Sequence, residues 1–261
     1  MRSLSIGATG MLAQQTNVEV ISNNIANMTT SGYKQQRAEF QDLLYQNIRR
    51  PGAQSSDAGT VVPTGIQIGA GVKTAAVYRI HTQGSIVITG NELDLAVNGK
   101  GYFQIQMPDG TTNYTRAGSF QLNADGQIVT PDGFSLLPGL TIPQNTTDIT
   151  IDATGQVQAK IDGQIDPQTV GQIELAQFPN DAGLESIGDN LYRETPASGA
   201  PVTGTAGIDG FGTIEQGSLE QSNVNVVSEI TSLITAQRAY EMNSRVIKTS
   251  DEMMSALSQL R

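Results

Sequence analysis

The sequence predicts an α+β protein. Long N- and C-terminal helices are expected to pair as a coiled-coil-like rod domain, with a central, loop-rich antiparallel β domain between them. Three observations carry this prediction. Apolar residues recur every seven positions at both ends of the 261-residue chain. All ten prolines fall between Pro51 and Pro201. Within that interval, short β-prone runs are separated by Asn-Gly and Asp-Gly pairs, which favour tight hairpins.

In the N-terminal segment, Leu4, Met11, Val18 and Ile25 stand seven apart, with Gly7, Gln14, Ile21 and Met28 three residues after each. One row is strongly apolar and the other mixed, a pattern suited to a helix in a crowded bundle. Gly32, after a Thr-Thr-Ser run, offers a C-terminal stop. Residues 34–51 then predict a short further helix around Phe40, Leu43, Leu44 and Ile48, ended by Pro51-Gly52. The small, polar residues 53–65 read as a loop or exposed hairpin.

From Ile66 to about Phe211 the chain reads as β. The turn pairs are Asn98-Gly99, Asp109-Gly110, Asp125-Gly126, Asp132-Gly133 and Asp162-Gly163. The last forty residues contain neither Gly nor Pro, so nothing breaks a helix there. Asn225 is the expected N-cap, and Glu229 lies in the first turn, where the helix dipole favours an anion. Val226, Leu233, Tyr240, Ile247 and Met254 recur every seven residues, joined by Ile230, Ala236 and Leu257. At 1.5 Å per residue such a helix is roughly 55 Å long, too long for a compact domain of this size to cover. It requires a partner, and the N-terminal helix of the same chain is the first candidate. The expected domains are residues 1–35 plus 222–261 for helical assembly, 36–72 plus 204–221 as a connecting segment, and 73–203 as the β domain.

Composition restricts function. The net charge of −10 argues against nucleic-acid binding. The acidic excess lies in the middle of the chain: residues 222–261 carry as many acids as bases, and residues 1–35 carry Arg2 and Lys34 against Glu19. Near-neutral ends can pack in many copies without repulsion, while an acidic middle keeps a surface hydrated. With no cysteine, disulfides and thiolate metal sites are excluded. The N-terminus lacks the continuous apolar core of a secretory signal. No stretch approaches the roughly 20 apolar residues of a membrane span, so no membrane insertion is expected. The chain is therefore expected either to stay in the cytoplasm or to leave by a route that cleaves no signal peptide.

No catalytic, cofactor or metal site is expected. His81 is the only histidine, which rules out a Ser-His-Asp triad with a spare imidazole and a histidine metal cluster within one chain. The segment NGKG at residues 98–101 lacks the spacing of a phosphate loop, and GIQIGAG at 65–71 does not fit the dinucleotide fingerprint. Asp57, Asp94, Asp125, Asp132 and Asp152 offer carboxylate pairs for glycoside hydrolysis, but most fall at turns where the side chain caps the backbone.

The motifs themselves carry a resemblance. The N-terminal GATGMLAQQTNVEVISNNIANMTTSGYK resembles the signature of the flagellar basal-body rod and hook protein family, a helix ending in an Asn-rich turn. The block from Leu93-Asp94 through Gly101-Tyr102-Phe103, Tyr114-Thr115-Arg116, Gly118, Phe120 and Gly126 looks like the family's central β motif. The ending from Gln216 to Met253 is similar to its C-terminal helix. Within the family, the length and residues 45–65 look most like distal rod members. The resemblance implies unprocessed export through the flagellar type III apparatus and self-assembly of many copies into a hollow tube lined by the terminal helices. The implied neighbours are proximal rod proteins, the hook protein or hook–rod junction, and the surrounding P- and L-ring proteins.

The residues expected to pack helices within and between subunits are Leu4, Met11, Val18, Ile21, Ile25, Val226, Ile230, Leu233, Tyr240, Ile247 and Met254. Those expected to contact neighbouring subunits from the rod-specific segment are Tyr45, Ile48, Arg49, Arg50, Pro51, Val61, Val62 and Pro63. The alternatives are a proximal rod or hook-type relative, a secreted carbohydrate-active enzyme using Asp125 and Asp132, and a monomeric β-domain binder with dispensable helices.

Overall fold

The computed structural model describes residues 2–52, 64–164 and 166–259, apart from the side chain of Leu257. It divides into two compact units. The helical unit comprises residues 1–25, 36–78 and 225–261, and the β unit comprises 26–35 and 79–224. Each terminal segment therefore feeds a unit drawn from distant parts of the chain.

The helical unit holds α1 (Arg2–Ala26) and α2 (Val226–Gln259). The Asn225 carboxamide oxygen accepts from the Ser228 N–H at 3.1 Å, so the expected N-cap is formed. The helices run antiparallel. A side chain placed at Gly7 would meet Ile247, one at Gly10 would meet Asn243, and Asn24 at the far end bonds Glu229. The two helices thus pack together in a predominantly antiparallel α+β protein, as the fold class requires. α1 ends at Ala26, six residues before Gly32. Gly32 instead takes a left-handed φ of 69° in the turn that follows, in the β unit.

Two strand pairs complete the helical unit: Gln36–Asp42 with Val72–Arg79, and Tyr45–Arg49 with Ile66–Gly69. The short helix expected around Phe40, Leu43, Leu44 and Ile48 is therefore corrected to two strands. The reason is long-range pairing. Gln36, Ala38 and Phe40 alternate half-buried with exposed Arg37, Glu39 and Gln41, a period of two that a ladder supports and a helix does not. Val61, Val62 and Pro63 lie outside the described residues.

The β unit is antiparallel throughout, as its turn chemistry predicts. Its central strand is Tyr102–Gln106, which pairs with Thr112–Thr115, Ser135–Leu136 and Glu174–Gln177. Alternation along that strand sends Phe103 and Ile105 into the main apolar core with Leu95, Val97, Phe120 and Leu175. Tyr102 faces the other way, into an aromatic cluster with Tyr114, Phe178 and Tyr192. A three-stranded sheet (Thr146–Ile151, Gln156–Ile161, Gln168–Gln172) packs Ile149, Ile151 and Val157 onto the same core. Gly99, Gly110, Gly126, Gly133 and Gly163, the second residues of the five expected turns, all have positive φ. The carboxylates of Asp109 and Asp152 accept from nearby backbone N–H groups, a turn role rather than a catalytic one.

Candidate functional site: a buried ion cluster and two open helix flanks

Three charged residues far apart in sequence meet inside the β unit. Lys34 follows the Asn-rich turn, Arg116 lies beyond Thr112–Thr115, and Glu220 ends the strand Ser218–Glu220. All three are almost fully buried. Lys34 Nζ donates to Glu220 Oε1 at 2.5 Å and to the Thr82 carbonyl at 2.9 Å. The second Glu220 oxygen accepts from Arg116 Nη1 at 3.3 Å. Arg116 also donates to the carbonyls of Val97 and Gly99, and its guanidinium sits 5.3 Å from the Tyr102 ring centroid. Two cations share one anion and both also donate to backbone carbonyls, while the buried Arg116 Nε finds no acceptor among the described residues. Burial pulls the Lys34 amine below its usual range, and the Glu220 carboxylate opposes that shift. Removing one member of such a cluster costs far more than the pair contributes, because a buried charge is left behind.

Beside this cluster sits His81. Its Nδ1 lies 2.8 Å from the Tyr102 hydroxyl, and its ring stands edge-on to both Tyr102 and Tyr192. Burial, with the nearby Lys34, Arg79 and Arg116 charges, lowers its pKa to about 4. Burial, with the charge of Asp181, pushes the Tyr102 phenol upward. The phenol and the imidazole are therefore both uncharged near neutral pH, and the tautomer of His81 sets which of the two donates. Among the described residues, no three His, Asp or Glu side chains gather as metal ligands.

The expected packing positions lie on the two helices as follows. Ile21 is buried, while Leu4, Met11, Val18 and Ile25 are half-buried. On α2, Val226, Leu233 and Ile247 are half-buried, and Ile230, Tyr240 and Met254 are exposed. The deepest row of α2 is the one three residues further on: Glu229, Ala236 and Ser250 are buried, with Asn243 between them half-buried. Small and polar residues there let the antiparallel helices approach at Gly7 and Gly10. Asn24 closes one end, donating to Glu229 at 3.2 Å and exchanging two 2.8 Å bonds with the backbone of Gln36.

Large apolar side chains remain outside that seam. Val227 and Ile234, with Ile230, lie exposed on one flank of α2, each of the first two one residue after a seam position. Val246 and Met253, each one residue before a seam position, lie exposed on the opposite flank with Met242. Along the helix pair runs an open groove of about 470 Å³ lined by Gln15, Val18, Glu19, Gln237, Tyr240 and Glu241. In the rod-specific segment, Tyr45 and Ile48 are 55% and 58% exposed, and Arg49, Arg50 and Pro51 are exposed too. Among the described residues, no helix is long and apolar enough to cross a membrane.

Sequence reasoning overlooked the charged cluster. Lys34, Arg116 and Glu220 each stand in a stretch quoted for the family resemblance, one per block, and that coincidence was the available signal.

A helical unit that buries few apolar side chains among the described residues and leaves apolar flanks open fits a structural class of protein. Family models agree over three segments: the flagella basal body rod protein model over residues 4–34, the flagellar hook protein FlgE/F/G D1 domain over 96–159, and the flagellar basal body rod FlgEFG protein C-terminal model over 215–260. The chain is 62% identical over 261 residues to the flagellar basal-body rod protein FlgG of Caulobacter vibrioides, covering 100% of both chains. It is 56% identical over 259 residues to the FlgG of Agrobacterium fabrum, covering 99% of each. It is 40% identical over 268 residues to that of Bacillus subtilis, covering 100% of this chain and 99% of the other. The chain belongs to the FlgG family of flagellar basal-body rod proteins, a structural family of the distal rod rather than of enzymes.

Proposed function

We propose that many copies of this chain assemble into the hollow helical tube of the distal rod, the drive shaft that carries torque from the proximal rod to the hook. The observation that carries this reading is the pair of exposed apolar flanks on α2, Val227–Ile230–Ile234 on one side and Met242–Val246–Met253 on the other. A helix that has already packed its seam on α1 and still exposes apolar residues on two flanks has room for two further neighbours. In this reading the terminal helices pair as a coiled-coil-like element. Leu4, Met11, Val18, Ile25, Val226, Leu233 and Ile247 support the pair, and Ile230, Tyr240 and Met254 meet adjacent subunits. The near-neutral ends form the inner wall, and the acidic β unit faces outward toward the P- and L-ring proteins.

The same reading has the subunit exported unprocessed by the flagellar type III apparatus and seated between the proximal rod proteins and the hook or hook–rod junction. Residues 45–65, with exposed Tyr45, Ile48, Arg49, Arg50 and Pro51, make contacts that hold the tube straight. The test is complementation of a flagellated bacterium that lacks its own FlgG, with basal bodies viewed by electron microscopy. Full-length straight rods bearing hooks are expected from the intact chain, and bent or hookless rods from a deletion of residues 45–65. Absence of rods from the intact, expressed chain overturns the assembly reading, and straight hook-bearing rods from the deletion overturn the role of the segment.

A further inference from the structure

The chain passes between the helical and β units four times, at residues 25/26, 35/36, 78/79 and 224/225. Next to three of these passages, within the β unit, stand Gln35, the stretch from Ile80 to Thr82, and Asn223. One carboxamide ties them together. The Asn223 oxygen accepts from the Gln35 N–H at 2.7 Å. Its nitrogen donates to the Ile80 carbonyl at 2.9 Å and to the Thr82 carbonyl and hydroxyl at 3.1 and 2.9 Å. The Ile80 N–H in turn donates to the Gln35 carbonyl at 2.8 Å.

Glu220, three residues earlier, reinforces the same bundle. Its backbone carbonyl accepts from the Gly32 N–H at 2.8 Å, and its carboxylate accepts from Lys34 and from the Gly84 N–H. Gly32 cannot be replaced without strain. Its φ is 69°, and a Cβ there would stand 2.6 Å from the Ala117 nitrogen.

We infer that Asn223, backed by Glu220, is a positioning residue that gathers three of the four connecting chains into one hydrogen-bonded stem at the β unit. Without it the connection at residues 224/225 loses its tie to the paired strands that leave at residues 36 and 78. Only a carboxamide offers an acceptor for Gln35 and donors for Ile80 and Thr82 from one short side chain. A carboxylate keeps the first arm and repels the carbonyls of the second. For a torque-bearing subunit, which rests on the function proposed above, a stem transmits twist where loose linkers absorb it.

Amide hydrogen exchange on the full chain tests this independently of rod assembly. The informative probe is the Ile80 N–H, which is bonded to Gln35 and not to Asn223; Phe103, in the central ladder, is the reference. With Asn223→Ala, Ile80 should exchange on the order of tenfold faster or more while Phe103 is unchanged, the scale of losing about one hydrogen bond's net contribution. With Asn223→Asp, Gln35 should stay protected while Ile80 loosens. Acceleration confined to the Gln35 amide, the direct partner, overturns the inference.

If Asn223→Ala unfolds the β unit, Thr82→Val removes a single arm. A smaller acceleration at Ile80 is then expected, and none overturns the stem. Rods grown from Asn223→Ala subunits should bend more in electron micrographs. Unaltered stiffness with a loosened Ile80 overturns the mechanical part. Absence of rods from the unaltered chain sinks the rod reading instead, and the exchange result stands apart from it.

Discussion

At the scale of single residues, the most consequential local chemistry is a neutral histidine among cations. His81 is hydrogen-bonded to Tyr102 and feels the charges of Lys34, Arg79 and Arg116. Its pKa falls from 6.5 in the unfolded chain to about 4 in the fold. The unfolded chain therefore binds more protons between those values. Stability from this group is fully present above pH 6.5 and is lost as pH falls toward 4, by roughly 3 kcal/mol in all. Chemical denaturation of the full chain across that window should show the loss. His81→Gln keeps both a donor and an acceptor for Tyr102 but cannot titrate, so its stability should fall less over the same interval. Identical pH dependence in the two proteins would show that folding leaves the proton affinity of the imidazole unchanged. None of this was legible in the sequence, where a lone histidine reads equally as surface or core. Its neighbours arrive from residues 34, 102, 116 and 192, and only the folded strands bring them together.

At the scale of elements, the terminal helices show which part of a pattern a sequence exposes. Asn225 as N-cap is local, set by one side chain and an N–H three residues on, and it was readable. The seven-residue repeat is equally local, and it marks out two helices without saying which of its residues pack. Which row of the seam goes deepest was not readable from one helix. Antiparallel approach at Gly7 and Gly10 places the small and polar row of Glu229, Ala236, Asn243 and Ser250 against α1, and the larger Tyr240 stays outside. The strands at Gln36–Asp42 and Tyr45–Arg49 were misread as helix because their partners, Val72–Arg79 and Ile66–Gly69, lie well downstream and leave no periodic mark in so short a stretch. The helix geometry makes a direct prediction. A Cβ at Gly7 already stands 2.9 Å from Ile247, so a branched chain there must displace that residue. Gly7→Leu should destabilise the helical unit by about 1–3 kcal/mol, the usual cost of overpacking. Thermal melting followed by far-ultraviolet circular dichroism measures it, and an unchanged helical transition would mean that the two helices do not pack at this register.

At the scale of the whole molecule, the two units are unequally provided with core. The β unit buries a continuous apolar cluster that includes Leu95, Phe103, Phe120, Ile128, Leu136 and Leu175. In the helical unit, the buried apolar side chains among the described residues are Ala13, Val20, Ile21 and Ala236. A 34-residue helix with so little beneath it gains little from intrachain packing, and isolated helices are marginal in water. The β unit should therefore hold its fold in the dilute subunit while the helices gain most of their protection from neighbouring copies. Limited trypsin digestion of the monomer should cut first at exposed Arg238 and Arg245 and spare the β unit, and assembly should then protect both sites. Leu233→Asp separates the two contributions. It places a charge on the half-buried seam of α2, far in sequence from the β core. Rod growth should be abolished while near-ultraviolet dichroism of the β unit is unchanged. Should the monomer's helices resist trypsin as well as the β unit does, or should the Leu233→Asp chain still build rods, the helical seam would be a finished intrachain structure and the subunit contacts would have to lie on other surfaces.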